Sequence, residues 1–144
     1  MEYISKSLEE TDKIALRFYK TIRRQKQKTA FVVGLRGDLG SGKTTFMKSF
    51  AKSLGVKEVV TSPTFVILKK YPISHAVFNT LIHIDAYRLE GGKDMSSLGW
   101  SGLLSDPKNL IFIEWPEIIS DSMPTHTVYI NFKFIDESTR KISW

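Results

Sequence analysis

Ala30-Phe31-Val32-Val33-Gly34-Leu35 runs directly into Arg36-Gly37-Asp38-Leu39-Gly40-Ser41-Gly42-Lys43-Thr44-Thr45, and this stretch decides the fold class. Its first six residues form a short apolar run, the length of a buried strand rather than a helix. Phe46 to Leu54 then reads as a helix that stops at Gly55, a C-cap residue. Between the two, Gly37, Gly42, Lys43 and Thr44 satisfy the pattern G-x-x-x-x-G-K-[ST]. Strand, glycine loop and helix in that order are what a phosphate loop demands. Glycines let successive N–H groups turn toward one anion, and the helix that follows adds its positive end. Lys43 is thereby placed for the β- and γ-phosphates of a nucleotide, and the Thr44 hydroxyl for Mg2+. Asp38 reads either as a residue that closes the turn or as one with a catalytic role.

Upstream, Leu8 to Ile22 reads as a helix. Ile14, Leu16, Phe18 and Ile22 form its apolar stripe. Ser7 with Glu10 is a capping box, and Thr11 is an alternative start. Downstream, strands are expected at Phe65–Lys69, Leu81–Asp85, Leu110–Glu114 and Val128–Phe134, with a short last one near Lys141–Trp144. Leu110-Ile111-Phe112-Ile113 is continuously apolar, as a strand covered on both faces requires. Residues 88–109 read as irregular or as one short helix, punctuated by Gly91-Gly92, Gly99 and Pro107. These elements predict one α/β domain over residues 1–144, layered around a mostly parallel sheet with antiparallel strands toward the C-terminus.

Composition narrows the function classes. The 144 residues are 42% hydrophobic and 25% charged, an ordinary globular balance. With no cysteine, disulfides, zinc-thiolate sites and thiol catalysis are excluded. The start, Met1-Glu2-Tyr3-Ile4-Ser5-Lys6, has no long apolar run and does not read as a signal peptide. No stretch approaches the roughly 18 to 20 apolar residues of a membrane span, so a cytoplasmic protein is expected. The net charge of +6 raises the question of RNA. Its densest stretch, Arg23-Arg24-Gln25-Lys26-Gln27-Lys28, follows a helix, and reads either as a solvated helix end or as a contact with RNA or an acidic partner.

Phosphoryl transfer needs a further carboxylate for the metal and a group that positions the nucleophile. Asp85 closes Ile82-His83-Ile84-Asp85, and Glu114 closes Ile111-Phe112-Ile113-Glu114. Ligands of open α/β sheets sit at the carboxyl ends of strands, so both acids are expected to face the nucleotide. His83 lies two residues before Asp85 on the same face, and reads either as an active-site neighbour or as a hydrogen-bonded core histidine. His75 and His126 carry no expected role. Thr61-Ser62-Pro63-Thr64 precedes a strand and reads either as a γ-phosphate-sensing switch or as an ordinary Ser-Pro turn.

Several segments together resemble one family, TsaE, over roughly residues 5 to 140. Gly37-Asp38-Leu39-Gly40-Ser41-Gly42-Lys43-Thr44-Thr45-Phe46 is similar to its extended phosphate loop. Ser62-Pro63-Thr64-Phe65 resembles its switch-like segment, and His83-Ile84-Asp85-Ala86-Tyr87-Arg88-Leu89 its H-x-D-x-Y-R-L signature. Glu114-Trp115-Pro116-Glu117 matches its E-W-x-E block. The resemblance implies a three-layer P-loop NTPase fold and an ATPase of bacterial tRNA threonylcarbamoyladenosine synthesis at tRNA position 37. It implies partners, the TsaB–TsaD pair, which transfers the threonylcarbamoyl group and which this ATPase resets for repeated turnover. Contact with tRNA is then indirect, through the complex. By the same route Thr44 and Glu114 would hold Mg2+, Asp85 would position or activate the attacking water, and Trp115 would shape the site. ATP would lie on Gly37 to Thr45, with Lys43 catalytic, Ser62, Pro63 and Thr64 as the switch, and Thr11 and Arg140 near the adenine. Two departures from the family pattern are Ala86, where a larger aliphatic is usual, and the lack of an acidic residue around Leu98-Gly99-Trp100-Ser101-Gly102.

Other classes remain open on the residues alone. A small-molecule kinase could use the same loop, but Arg88 is the only arginine between Arg36 and Arg140, which does not furnish an arginine-rich lid. A nucleotide-gated binding module would use the loop without turnover. An RNA-binding module lacks an aromatic-basic recognition motif.

Overall fold

The computed structural model describes residues 1–22, 27–58, 60 and 67–144. The decisive stretch folds as expected: strand β2 (Phe31–Arg36), the glycine loop, then helix α2 (Lys43–Ser53). The helix begins at Lys43 rather than Phe46, so Lys43 and Thr44 sit in its first turn. Gly55, at φ 75°, follows its end, and its N–H bonds Lys52 O at 3.1 Å.

Around β2 lies a seven-stranded sheet of order β1-β7-β6-β2-β5-β4-β3. The remaining strands are β1 (Glu2–Ser5), β3 (Leu68–Pro72), β4 (Thr80–Asp85), β5 (Asn109–Glu114), β6 (Val128–Phe134) and β7 (Arg140–Ser143). The four central strands, β6, β2, β5 and β4, run parallel. Both edges are antiparallel: β7 and β1 beyond β6, and β3 beyond β4. The antiparallel edge at β3 was not anticipated. This strand begins at Leu68, later than the expected Phe65, and residues 61–66 lie outside the described residues. Pro72 closes β3, where an edge strand tolerates a residue with no N–H. Burial follows position. Every residue of β5 is buried, whereas β6 and β1 mix buried with exposed residues and β7 is half-buried apart from Ile142.

Helix α1 (Leu8–Ile22) has the expected bounds. Ser7 Oγ accepts a bond from Glu10 N at 3.1 Å, and Glu10 Oε2 accepts one from Lys6 N at 2.6 Å, a reciprocal cap displaced by one residue from the ideal box. Ile14, Ala15, Phe18 and Ile22 face the core. Leu16 does not: it is 41% exposed, because i+2 along a helix points away from the stripe.

Helices α1 and α2 cover one face of the sheet, where Phe18, Phe46, Phe50 and Phe112 interlock, Phe50 and Phe112 with centroids 4.7 Å apart. The opposite face is covered by α3 (Gly92–Ser97), α4 (Trp100–Ser105) and a 3-10 segment, Pro116–Ser122. Two short helices therefore stand where residues 88–109 were expected to be irregular or to hold one. The glycines that read as loop punctuation act as helix starts, Gly99 at φ 72° heading α4. Met95 and Trp100 anchor the pair, and Trp100 Nε1 donates to Ser122 O at 2.9 Å.

Candidate functional site

At the carboxyl ends of β2, β4 and β5 the sheet opens into a cavity of about 550 Å3. One wall is the glycine loop. Gly37, Gly40 and Gly42 have φ of 152°, 74° and 102°, a backbone course that L side chains rarely follow. At Gly37 a Cβ would lie 2.6 Å from both Phe132 O and Ser41 Oγ, so the loop presses against β6 there. Asp38 closes the turn through its backbone, accepting Ser41 N at 3.1 Å, while its side chain is exposed. Leu39, Gly40, Gly42, Lys43, Thr44 and Thr45 line the cavity; Gly37, Asp38 and Ser41 are not among the lining residues.

Lys43 is 6% exposed. Its ammonium donates to Gly37 O and to Asp38 O, the latter at 3.2 Å, and lies 4.2 Å from the Trp115 ring centroid. Burial lowers its pKa, against the pull of Glu114, Glu117, Asp38 and Asp85. Trp115 is the one described non-glycine residue with positive φ, at 58°. Strain of this kind concentrates at functional sites, and here it turns the indole from the end of β5 over the lysine.

Opposite stand the two strand-end acids, direct neighbours in the register of β4 and β5. Both line the cavity, and both are nearly closed to solvent elsewhere, Asp85 at 7% and Glu114 at 3% exposure. Asp85 Oδ1 accepts Tyr87 N at 3.0 Å. Burial raises its pKa, and the Glu114 charge adds to the rise, while the Tyr87 N–H, His83 and Lys43 oppose it. His83 is wholly buried behind them, its Nε2 3.3 Å from Glu114 Oε2. Thr44 and Glu114 thus offer hard oxygens to one space. Among the described residues no group of three or more His, Asp or Glu forms a metal cage. A cation here would complete its shell with ligand oxygens and water.

The far wall comes from the chain's two ends. Ser5, Lys6, Ser7, Leu8 and Thr11 face Glu137, Ser138, Arg140 and Ile142 across the cavity rim. Ser5 and Thr11 hydroxyls bond each other at 2.7 Å, and Arg140 Nε donates to Gly40 O at 3.1 Å. Thr11 and Arg140, which the family resemblance put near the adenine, share a cavity with Lys43, Thr44, Asp85, Glu114 and Trp115. Ser62, Pro63 and Thr64 lie outside the described residues, as do residues 23–26 of the basic run.

Residues 5–142 match the family model described as threonylcarbamoyl adenosine biosynthesis protein TsaE. The chain belongs to the TsaE family. It is 37% identical over 138 residues to the tRNA threonylcarbamoyladenosine biosynthesis protein TsaE of Rickettsia bellii, which covers 95% of this chain and 89% of that one. It is 36% identical over 113 residues to the TsaE of Bacillus subtilis, covering 78% of this chain and 68% of that one. The crystal structure of Bacillus subtilis YdiB shares the fold, with a TM-score of 0.74 and 30% identity over 99% of this chain and 82% of that one. Membership in the TsaE family ties the chain to tRNA threonylcarbamoyladenosine biosynthesis.

Within this TsaE-family chain, sequence reasoning missed the lining residues Ser5, Lys6, Ser7, Leu8, Glu137, Ser138 and Ile142. They reach the site only because β1 pairs with β7, bringing Ser5 opposite Arg140. The hydroxyls of Ser7 and Thr11 were the available signal; the residues alone read as a helix start, and only the family resemblance put Thr11 near the site.

Proposed function

We propose that this chain binds ATP with Mg2+ in the cavity and hydrolyses it as the ATPase of tRNA threonylcarbamoyladenosine synthesis, on binding a TsaB–TsaD pair in the cytoplasm. The observation that carries the reading is the facing of Lys43 and Thr44, at the start of α2, by Asp85 and Glu114 at the ends of parallel strands. The residues fit a nucleotide on three counts. Gly40 has no atom within 4 Å of the place a Cβ would take, leaving the loop backbone bare. Ser41 Oγ is buried with no hydrogen-bond partner, a hydroxyl in reserve within the loop. The cavity volume falls in the range of small-molecule sites, about 300 to 1,000 Å3.

Each residue then has a task. The loop N–H groups and the α2 N-terminus cradle the phosphates. Lys43 gives up its contacts with Gly37 O and Asp38 O to reach the β- and γ-phosphates. Thr44 and Glu114 would hold Mg2+, which neutralises charge on the phosphate oxygens. Asp85, whose raised pKa makes it a better proton acceptor, orients the attacking water. Trp115 closes the phosphate end, and Thr11 and Arg140 bound the end left for the base. Arg140 is held by Gly40 O, Asp136 O and Thr139 O, so it is not free to act as an arginine finger. Full turnover accordingly awaits a partner packed against the loops.

Nucleotide titrations with and without Mg2+ test the binding half of this reading. Lys43→Ala should weaken ATP roughly tenfold or more, the value of a lost charge-assisted hydrogen bond. Glu114→Ala should keep the metal-free affinity and lose the gain that Mg2+ brings. A wild-type chain that binds no ATP, or a Lys43→Ala variant that binds it equally well, would contradict the assignment.

A further inference from the structure

His83 takes no part in the mechanism above, yet its setting is costly. The imidazole is 0% exposed on β4, beside Phe112 of β5 in register, and its face of the sheet is the one packed by α1 and α2. Neither ring nitrogen has a hydrogen-bond partner of good geometry. A buried polar group left unsatisfied is costly, so an apolar side chain would serve the core better. The polar atom placed to compensate is Glu114 Oε2, 3.3 Å from Nε2. Glu114 is itself buried but reaches the cavity, and its carboxylate must be held in one orientation to offer an oxygen there.

We infer that His83 is a positioning residue for the metal-holding carboxylate: its Nε2–H donates to Glu114 Oε2 and leaves Oε1 available to Mg2+. The inference rests on the proposed Mg2+ role of Glu114. A small rotation of the ring converts the 3.3 Å approach into a hydrogen bond. Partners of this kind fix ligand orientation, and their loss typically costs about 10- to 100-fold in metal affinity or activity. The spacing also explains why the histidine stands two residues before Asp85. On a strand that offset keeps one face while stepping back from the cavity by about 7 Å, out of reach of the nucleotide but level with the root of Glu114.

Two measurements decide it. In 15N-histidine NMR spectra of the nucleotide-free chain, His83 should carry a slowly exchanging proton on Nε2, a signature lost in Glu114→Ala. The Nδ1–H tautomer, or a signal indifferent to Glu114, overturns the inference whatever the fate of the ATPase reading. In nucleotide titrations, His83→Gln, which keeps an N–H donor, should need only a few-fold more Mg2+ than wild type. His83→Phe should need about tenfold more or beyond, with metal-free ATP affinity unchanged. An unshifted Mg2+ midpoint in His83→Phe overturns the inference. Should that variant not fold, the position of the His83 proton and its dependence on Glu114 decide alone, with the same two outcomes. A wild-type chain with no Mg2+ dependence at all removes the underlying reading, and the inference with it.

Discussion

Lys43 and Asp85 bring opposite charges into one cavity, and burial pushes both toward neutrality. For Asp85 the consequence can be read as a stability effect. Its folded pKa lies above the ordinary 3.8, so the folded state holds its proton more tightly than the unfolded chain does. That contribution is fully present below the ordinary value and is lost as pH rises through the folded pKa. Asp85→Asn, which keeps an acceptor for Tyr87 N, should therefore melt at a higher temperature than wild type at pH 8 and at the same temperature near pH 3. It should lose ATP turnover meanwhile. Equal melting temperatures at pH 8 would mean that the carboxylate is better solvated than its burial implies. At this scale much was legible: Lys43, Thr44, Asp85 and Glu114 were nominated from motif or strand-end position, Trp115 only through the family resemblance, and all five line one cavity. His83 stayed ambiguous because a sequence cannot tell which atom a buried ring meets.

The glycine loop is an element whose conformation is fixed by close approach rather than by composition. Gly37→Ala would place a methyl 2.6 Å from Phe132 O at a φ of 152°. It should destabilise the fold by about 1 to 3 kcal/mol and shift the loop off β6, visible together in denaturant melts and ATP affinity. A stable variant with unchanged affinity would show that the loop adapts freely. Helix α1 could be read to its bounds because its cap, Ser7 with Glu10, and its core stripe agree. Helices α3 and α4 could not. Each spans six residues, too short for a clear period, and each follows a glycine that by itself signals a turn. What holds them is burial of Met95 and Trp100 under the sheet, a tertiary cause invisible in a local pattern.

At the scale of the whole molecule, the sheet order sets what the site contains. Parallel strands β2, β5 and β4 bring the loop and both acids to one end, a layout that the apolar runs and their acidic ends already implied. The antiparallel β1–β7 pairing adds the chain's two ends as a far wall, and pairing between ends so distant in sequence left no local trace. The inner end of the site carries Lys43, Thr44, Asp85 and Glu114, but the arginine that lines the cavity, Arg140, is tethered to three backbone carbonyls. On the proposed reading, a cavity so equipped would bind and orient a nucleotide and wait for outside help to stabilise charge in the transition state. The most direct test is the rate of ATP hydrolysis by the purified chain, alone and with a TsaB–TsaD pair. The account predicts slow turnover alone, strong stimulation by the pair, and loss of both in Lys43→Ala. Turnover alone at about 10 per second or more, the range of self-sufficient phosphotransferases, or a pair that neither binds nor stimulates, would contradict it.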